Sequence, residues 1–350
     1  MTHPLPSNEV LYDAFVKRDS GYDGLFVAAV KTTGIFCRPT CRARKPKPEN
    51  VEFFASAGEA MARGYRPCRV CGPLETPGEP PTWIAPLLRE VNAHPERRLS
   101  DWDLTERGLS PQKVRRYFKA HHGMTFHAYQ RSLRVGKAYG RIQDGEDIAS
   151  AAYATGHGSL SGFCEAFTRT TGLPPSRSRE RRLVTTAQIL TPLGPMLGGA
   201  TAAGVCLLEF GDPPRLDLQL TRLQRAMKAQ ILPGSSPHLA TLEAQLGEYF
   251  AGERRTFDLP LVLSGTPFQE AVWRELLSIP YGTTRSYGEQ ARRLGQPRAV
   301  RAVARANGAN RISIVVPCHR VIGKDSGLVG YGGGLWRKRY LLELERGNLA

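Results

Sequence analysis

Four cysteines near the N-terminus constrain the fold of this chain more than any other feature. Cys37 and Cys41 are separated by three residues and Cys68 and Cys71 by two, with 26 residues between the pairs. Two closely spaced thiol pairs can each grip one side of a tetrahedral ion, so the spacing predicts one Zn2+ held by Cys37, Cys41, Cys68 and Cys71. Residues 1–75 are expected to form a small zinc-binding domain, of α+β class. Cys164, Cys206 and Cys318 are scattered, which argues for one metal site and against a disulfide framework. On spacing alone the site would be structural, as most four-cysteine sites are.

The next stretch, GPLETPGEPPT (Gly72–Thr82), holds four prolines and two glycines and reads as a linker. Residues 76–182 then carry two similar helical units. In the first, a helix ends near Gly108, Ser110 caps the next helix, and Pro111 takes its first turn. That helix sets Lys113, Arg115, Arg116 and Lys119 around apolar Val114, Tyr117 and Phe118, the pattern of a helix-turn-helix with a basic recognition helix. The second unit turns at Gly156–Gly158, and its recognition helix starts near Ser159. A helix from about Thr125 to Ile142 joins the two, giving an all-α double helix-turn-helix domain. Cys164, inside the second recognition helix, is assigned to packing. The net charge of +16 and pI near 9.8 call for an anionic partner, nucleic acid first. No run of about 18 apolar residues exists to span a bilayer. The N-terminal MTHPLPSNEV lacks a signal pattern, so a cytoplasmic setting with reduced thiols is expected.

Residues 183–350 follow a basic stretch, Arg177–Arg182, that reads as a tether. Gly204–Phe210 reads as a strand with Cys206 in its core. A helix from His238 places Leu239, Leu242, Leu246 and Phe250 on one face, and another starts at Phe268. This predicts an α+β front half and a helical second half. The second half holds a third helix-turn-helix pattern, turning at Gly295–Gln296 with Pro297 starting its second helix. That helix carries Arg298, Arg301 and Arg305 and no acid. Beyond it lies IVVPCHRV, in which Ile314–Pro317 reads as a buried strand and delivers Cys318 beside His319. A thiol is reactive as the thiolate, and a neighbouring imidazole is one way to produce it.

PCHRV, with Tyr287, Arg301, Asn310, Tyr331 and Glu345 at matching intervals, resembles the O6-alkylguanine-DNA alkyltransferase family over roughly residues 185–347. The resemblance implies that Cys318 attacks the alkyl carbon of O6-methylguanine, and of O4-methylthymine, once and irreversibly. It implies that His319 and Glu345 deprotonate Cys318, that Asn310 holds the turn, and that Tyr287 donates a proton toward the leaving guanine. Backbone near Val321 would read the base edge and Tyr331 would pack at the pocket rim. The helix of Arg298 and Arg301 would enter the minor groove, with Arg301 filling the space of an extruded nucleotide. Gly332 stands where some relatives carry a serine.

The N-terminal segment, through Thr33, Phe36–Pro39, Cys41–Arg44, Arg66–Cys68 and Cys71, resembles the zinc domain of the bacterial Ada family. That resemblance implies that Cys37 is both ligand and acceptor of methyl groups from DNA methylphosphotriesters, with Thr33, Arg44 and Arg66 on the DNA. Val70 departs from relatives with a basic residue there. Residues 76–182, with GLPPSR and the Phe163/Phe167 pair, resemble AraC-type DNA-binding domains, implying DNA contacts from Lys113, Arg115 and Arg116. Together these imply a monomeric repair methyltransferase that acts on alkylated double-stranded DNA. Methylation at Cys37 would convert it into an activator on promoter DNA with RNA polymerase as partner, and no membrane is involved. The alternative is a zinc-stabilised regulator whose C-terminal domain recognises lesions without catalysis. Such domains lack the acceptor cysteine, and Cys318 argues against that reading.

Overall fold

The structure, a computed structural model, describes residues 5–19, 22, 26–74, 80–211, 215–324, 327–328 and 330–347, with backbone alone at Ala120 and His121. Residues 75–79, the middle of the expected linker, lie outside the described residues.

The first domain has helix α1 (Asn8–Lys17), strands β1 (Val27–Val30), β2 (Ile35–Cys37) and β3 (Val51–Phe54), helix α2 (Ala57–Ala62) and strand β4 (Arg66–Pro67). The sheet order is β3-β1-β2-β4. Strands β2 and β4 run parallel with Phe36 opposite Pro67, so the next residues, Cys37 and Cys68, end side by side. The core here is small, and three of the cysteines lie inside it beside Leu11, Phe15 and Phe26.

Helices α3 (Ala85–Ala93), α4 (Asp101–Glu106), α5 (Pro111–His122), α6 (Phe126–Gln143), α7 (Ile148–Ala154) and α8 (Leu160–Thr171) form the second domain. Three of them start where expected, at Ser110, Thr125 and Ser159. The hydroxyls of Ser110, Thr125 and Ser159 each accept from the backbone N–H three residues on, satisfying donors that a helix start leaves unpaired. Val114, Tyr117 and Phe118 are buried, and Lys113, Arg115 and Arg116 are exposed.

The third domain begins with β5 (Arg182–Thr191), β6 (Gly194–Thr201), β7 (Gly204–Phe210), α9 (Arg215–Met227), β8 (Ala229–Pro233) and α10 (Pro237–Phe250). Its sheet order is β7-β6-β5-β8, antiparallel except for the β5–β8 pair. The helical half follows, with α11 (Pro267–Leu276), β9 (Arg285–Ser286), α12 (Tyr287–Arg293), α13 (Val300–Gly308), β10 (Val321–Ile322) and α14 (Leu335–Glu345). One core cluster runs through both halves, from Ile189 and Phe210 to Val303, Cys318 and Leu344. Among the described residues no helix is long and apolar enough to cross a membrane.

Four expectations change. Arg177–Arg182 is no loose tether: Tyr139 Oη donates to the carbonyls of Ser178 and Arg181, and Gln143 Nε2 to that of Arg181. These bonds carry the chain straight into β5. Leu232 of β8 completes the core of Val135, Ala138, Tyr139, Phe163 and Phe167, so the second and third domains share a seam. Gly136 allows it, since a Cβ there would lie 3.1 Å from the Pro233 carbonyl oxygen. Second, Ile314–Pro317 is a buried turn, not a strand, with Ile314 at φ +70°. Third, Pro297 lies in the turn, and the helix behind it starts at Val300, leaving Arg298 ahead of it. Fourth, Tyr249 joins Leu239, Leu242 and Leu246 as a buried residue of α10, and Phe250 packs half-buried against the same cluster.

Candidate active sites

The four sulfurs of Cys37, Cys41, Cys68 and Cys71 lie within 4.8 Å of one another, with Cys41 and Cys68 at 4.0 Å. Tetrahedral Zn–S bonds of about 2.3 Å would place sulfurs about 3.8 Å apart, so the cluster fits that ion. Backbone N–H groups of Arg38 and Val70 donate to Cys71 and Cys68 at 3.4 Å each, a pattern suited to thiolates. Cys71 drops to about 5, chiefly through its hydrogen bond from Cys37, while the same bond and burial push Cys37 upward. Four such thiols ionise together only around a cation. Thr33, Arg44 and Arg66 are exposed, and Arg66 pairs with Ile35 across β2 and β4. Cys37 is buried, and Cys71 is the more open sulfur.

In the third domain a turn tied to β7 presents the second cysteine. Leu208 N donates to Arg311 O at 2.7 Å and Ser313 N to Leu208 O at 2.8 Å. Asn310 pins the far side: its Oδ1 accepts from Ile312 N at 3.0 Å and its Nδ2 donates to Val316 O at 2.8 Å. The same Nδ2 donates to Cys318 Sγ at 3.2 Å. Such a bond favours thiolate, against burial, which raises the Cys318 thiol. Ile314, a β-branched residue in the left-handed region, is held there by these bonds.

His319 is fully buried, and its Nε2 meets Glu345 Oε1 at 2.8 Å. Burial holds the imidazole below its ordinary value, so it is neutral at neutral pH and able to take a proton. Its Nδ1 is buried and has no hydrogen-bond partner among the described residues. Burial alone would raise the Glu345 carboxyl, but His319 and Arg320 outweigh it and hold it at about 2. Tyr287 opens α12, and its hydroxyl donates to Gly330 O at 3.3 Å. Burial and the facing Cys318 raise both Tyr287 and Tyr331, so both keep their protons. Tyr331 packs edge-on against Phe210. The carbonyl of Val321 accepts from Lys338 Nζ at 2.6 Å. On α13, Arg301 is exposed, while Trp273 Nε1 donates to Ala306 O at 2.8 Å and Asn307 bonds Gln290 at 2.7 Å, docking the opposite face.

The structure thus brings Cys318, His319, Glu345, Asn310, Tyr287 and Tyr331 together. Sequence reasoning missed Arg320 and Tyr249, both bonded to Glu345. Arg320 had a signal, its place in PCHRV. Tyr249, 96 residues from Glu345, had none beyond its helical face.

Three family models match: the metal binding domain of Ada at residues 10–73, a helix-turn-helix domain at 105–181, and the 6-O-methylguanine DNA methyltransferase DNA binding domain at 267–347. The chain is similar to the bifunctional transcriptional activator/DNA repair enzyme Ada of Escherichia coli, 35% identical over 348 residues and 96% of each chain. It is 34% identical to the regulatory protein ada of Salmonella typhimurium over 94% of each. A methylated-DNA-protein-cysteine methyltransferase of Mycobacterium bovis is 63% identical over 102 residues, covering 29% of this chain and 62% of that protein.

Proposed function

The chain belongs to the bifunctional Ada family of DNA-repair methyltransferases and transcriptional regulators, and from that premise we propose how its residues divide the work. It is a methylated-DNA-protein-cysteine methyltransferase that acts on double-stranded DNA and holds one Zn2+ through four thiolates.

Cys318 is the acceptor for O6-methylguanine and O4-methylthymine. His319 takes the thiol proton through a water, and Glu345 holds the imidazole in place. The sulfur forms a bond to the methyl carbon, the carbon–oxygen bond breaks, and its electron pair stays on the purine. Tyr287 hands a proton to the departing guanine. The thioether has no good leaving group, so each molecule acts once. Arg301 supports extrusion of the base from the exposed face of α13, with Arg298 in the turn ahead of it. The observation that carries this reading is the Asn310 hydrogen bond to Cys318, with the buried His319–Glu345 pair next along the chain.

Cys37 is the acceptor for methylphosphotriesters, with the DNA backbone held by Thr33, Arg44 and Arg66. The ion keeps that sulfur ionised without a base. A methyl group moves from phosphate oxygen to sulfur, and the phosphodiester leaves as an anion. With Zn2+ held by Cys37, Cys41, Cys68 and Cys71, methylation of Cys37 would change the formal charge there from −2 to −1, easing repulsion from DNA by on the order of 1–4 kcal/mol. Lys113, Arg115 and Arg116 then hold promoter DNA. RNA polymerase as the activator's partner, monomeric action and a cytoplasmic setting belong to the same reading.

The test is to incubate the protein with duplexes bearing both lesions and weigh the cysteine peptides. Methyl groups are expected on Cys37 and Cys318, and Cys318→Ala should lose only O6 repair. A methyl group on Cys71 in place of Cys37 would overturn the N-terminal assignment. An unmodified Cys318 would return the lesion-binding, non-catalytic alternative.

A further inference from the structure

Gly332 lies between Tyr331 of the pocket and the start of α14. Its backbone does not need glycine, for its φ lies outside the left-handed region, unlike those of Gly330 and Gly334. Space is what requires it. A Cβ at 332 would overlap Cζ and both terminal nitrogens of Arg215.

The Arg215 guanidinium is held from two other directions. Its Nε and Nη2 each reach Oε2 of Glu209 at 3.0 Å, and its Nη1 donates to the Gly308 carbonyl at 3.3 Å. Glu209 is fully buried at the end of β7, and Gln219 Nε2 links its carboxylate, at 3.3 Å, to the Asn310 carbonyl, at 3.2 Å. Gly308 closes α13, where a cation meets the negative end of the helix dipole. Arg215 therefore joins the front-half sheet to the end of α13 and lies against Gly332 of the Tyr331 loop. Each of these pieces carries or abuts a group of the site: Asn310, Arg301 and Tyr331.

The charged and titratable groups facing Cys318 come from every side. Arg215 of α9 and Lys338 of α14 favour the thiolate, Glu209 of β7 opposes it, and Tyr287 of α12 and Tyr331 of the loop face the same sulfur. His319 is its chain neighbour.

We propose that Arg215 is a positioning residue for methyl transfer at Cys318, tying β7 to the end of α13 beneath the Tyr331 loop, and that Gly332 is side-chain-free to seat it. This rests on Cys318 as the acceptor. A donor fork fixed in advance near developing negative charge acts more strongly than a mobile one.

The experiment is a double-mutant cycle read with O6-benzylguanine, with rate constants measured across pH. Arg215→Ala and Gly332→Ala are each expected to slow benzylation of Cys318 roughly tenfold to a hundredfold. The double variant should be no slower than Arg215→Ala, since the added methyl then has room. The rate profile of Arg215→Ala should move to higher pH, a change that loosened packing alone would not produce. Arg215→Ala combined with Glu209→Gln avoids leaving a buried carboxylate unpaired, and should keep the rate defect in a folded protein. Additive effects of the two alanines, or an unshifted pH profile, would overturn the proposal. A wild-type protein that takes no benzyl group on Cys318 would instead defeat the acceptor assignment beneath it.

Discussion

Glu345 receives hydrogen bonds from Tyr249 Oη, Gly282 N, His319 Nε2 and two nitrogens of Arg320. Its carboxyl sits at about 2 against an ordinary 4.5. Between those values the unfolded chain takes up a proton that the native chain does not. The stability Glu345 supplies is therefore full above about pH 4.5 and is lost as pH falls toward 2. Glu345→Gln leaves the Arg320 guanidinium buried without its charge partner, and should cost about 3–5 kcal/mol at pH 7. Urea unfolding of both proteins from pH 7 to pH 3 checks this, and the gap between them should narrow as pH falls. A gap independent of pH would mean that the pair contributes little. Sequence made Cys318, His319, Asn310 and Glu345 legible, because each is a distinctive residue at a fixed interval. It misled at Ile314, where four apolar residues in a row look alike whether the backbone runs straight or turns. What decides there is Asn310, whose side chain takes the hydrogen bonds a neighbouring strand would have made.

Helix α5 offers DNA a row of cations that are not equivalent. All three are exposed, but Arg115 is paired with Asp101 and Lys113 lies 4.0 Å over the Trp83 ring, whereas Arg116 has no such partner among the described residues. Arg116→Ala should weaken promoter binding across sequences and reduce the salt slope by about one. Arg115→Ala should have a smaller effect, because Asp101 already neutralises it. Binding isotherms from about 50 to 200 mM salt compare the two, and equal slopes would remove the distinction. On α13, Arg301→Ala should slow repair of duplex DNA far more than reaction with O6-benzylguanine, since only the duplex requires extrusion. Equal losses on both would make Arg301 structural. The helices themselves were legible through their caps, as Ser110, Thr125 and Ser159 state where each begins. The start of α13 was not. Pro297 suits a first helical turn, yet Ala299 N bonds Gln296 O and spends those residues on a tight turn before Val300.

The architecture of three units was readable from spacing and motif, but their independence was not. The second domain's core is completed by Leu232 of β8, a residue read only as part of the third domain. Leu183 adds to it, lying 3.7 Å from where a Cβ on Gly140 would be. An interface hides from sequence because its residues look like ordinary core of whichever unit holds them. Leu232→Asp buries a carboxylate there and should lower the unfolding temperature of the helical domain as well as its own sheet. Calorimetry that found the helical transition unmoved would show that the two units melt apart. The seam also sets an order on the ribosome. Synthesis runs from the N-terminus, so α6 emerges long before residue 232 exists to cover Val135 and Ala138. For about 90 further residues the nascent helical domain carries an uncovered apolar stripe, at elongation rates a delay of roughly 5–20 s. Chains arrested in that interval should be the ones that engage chaperones, and release should follow once β8 has cleared the exit tunnel.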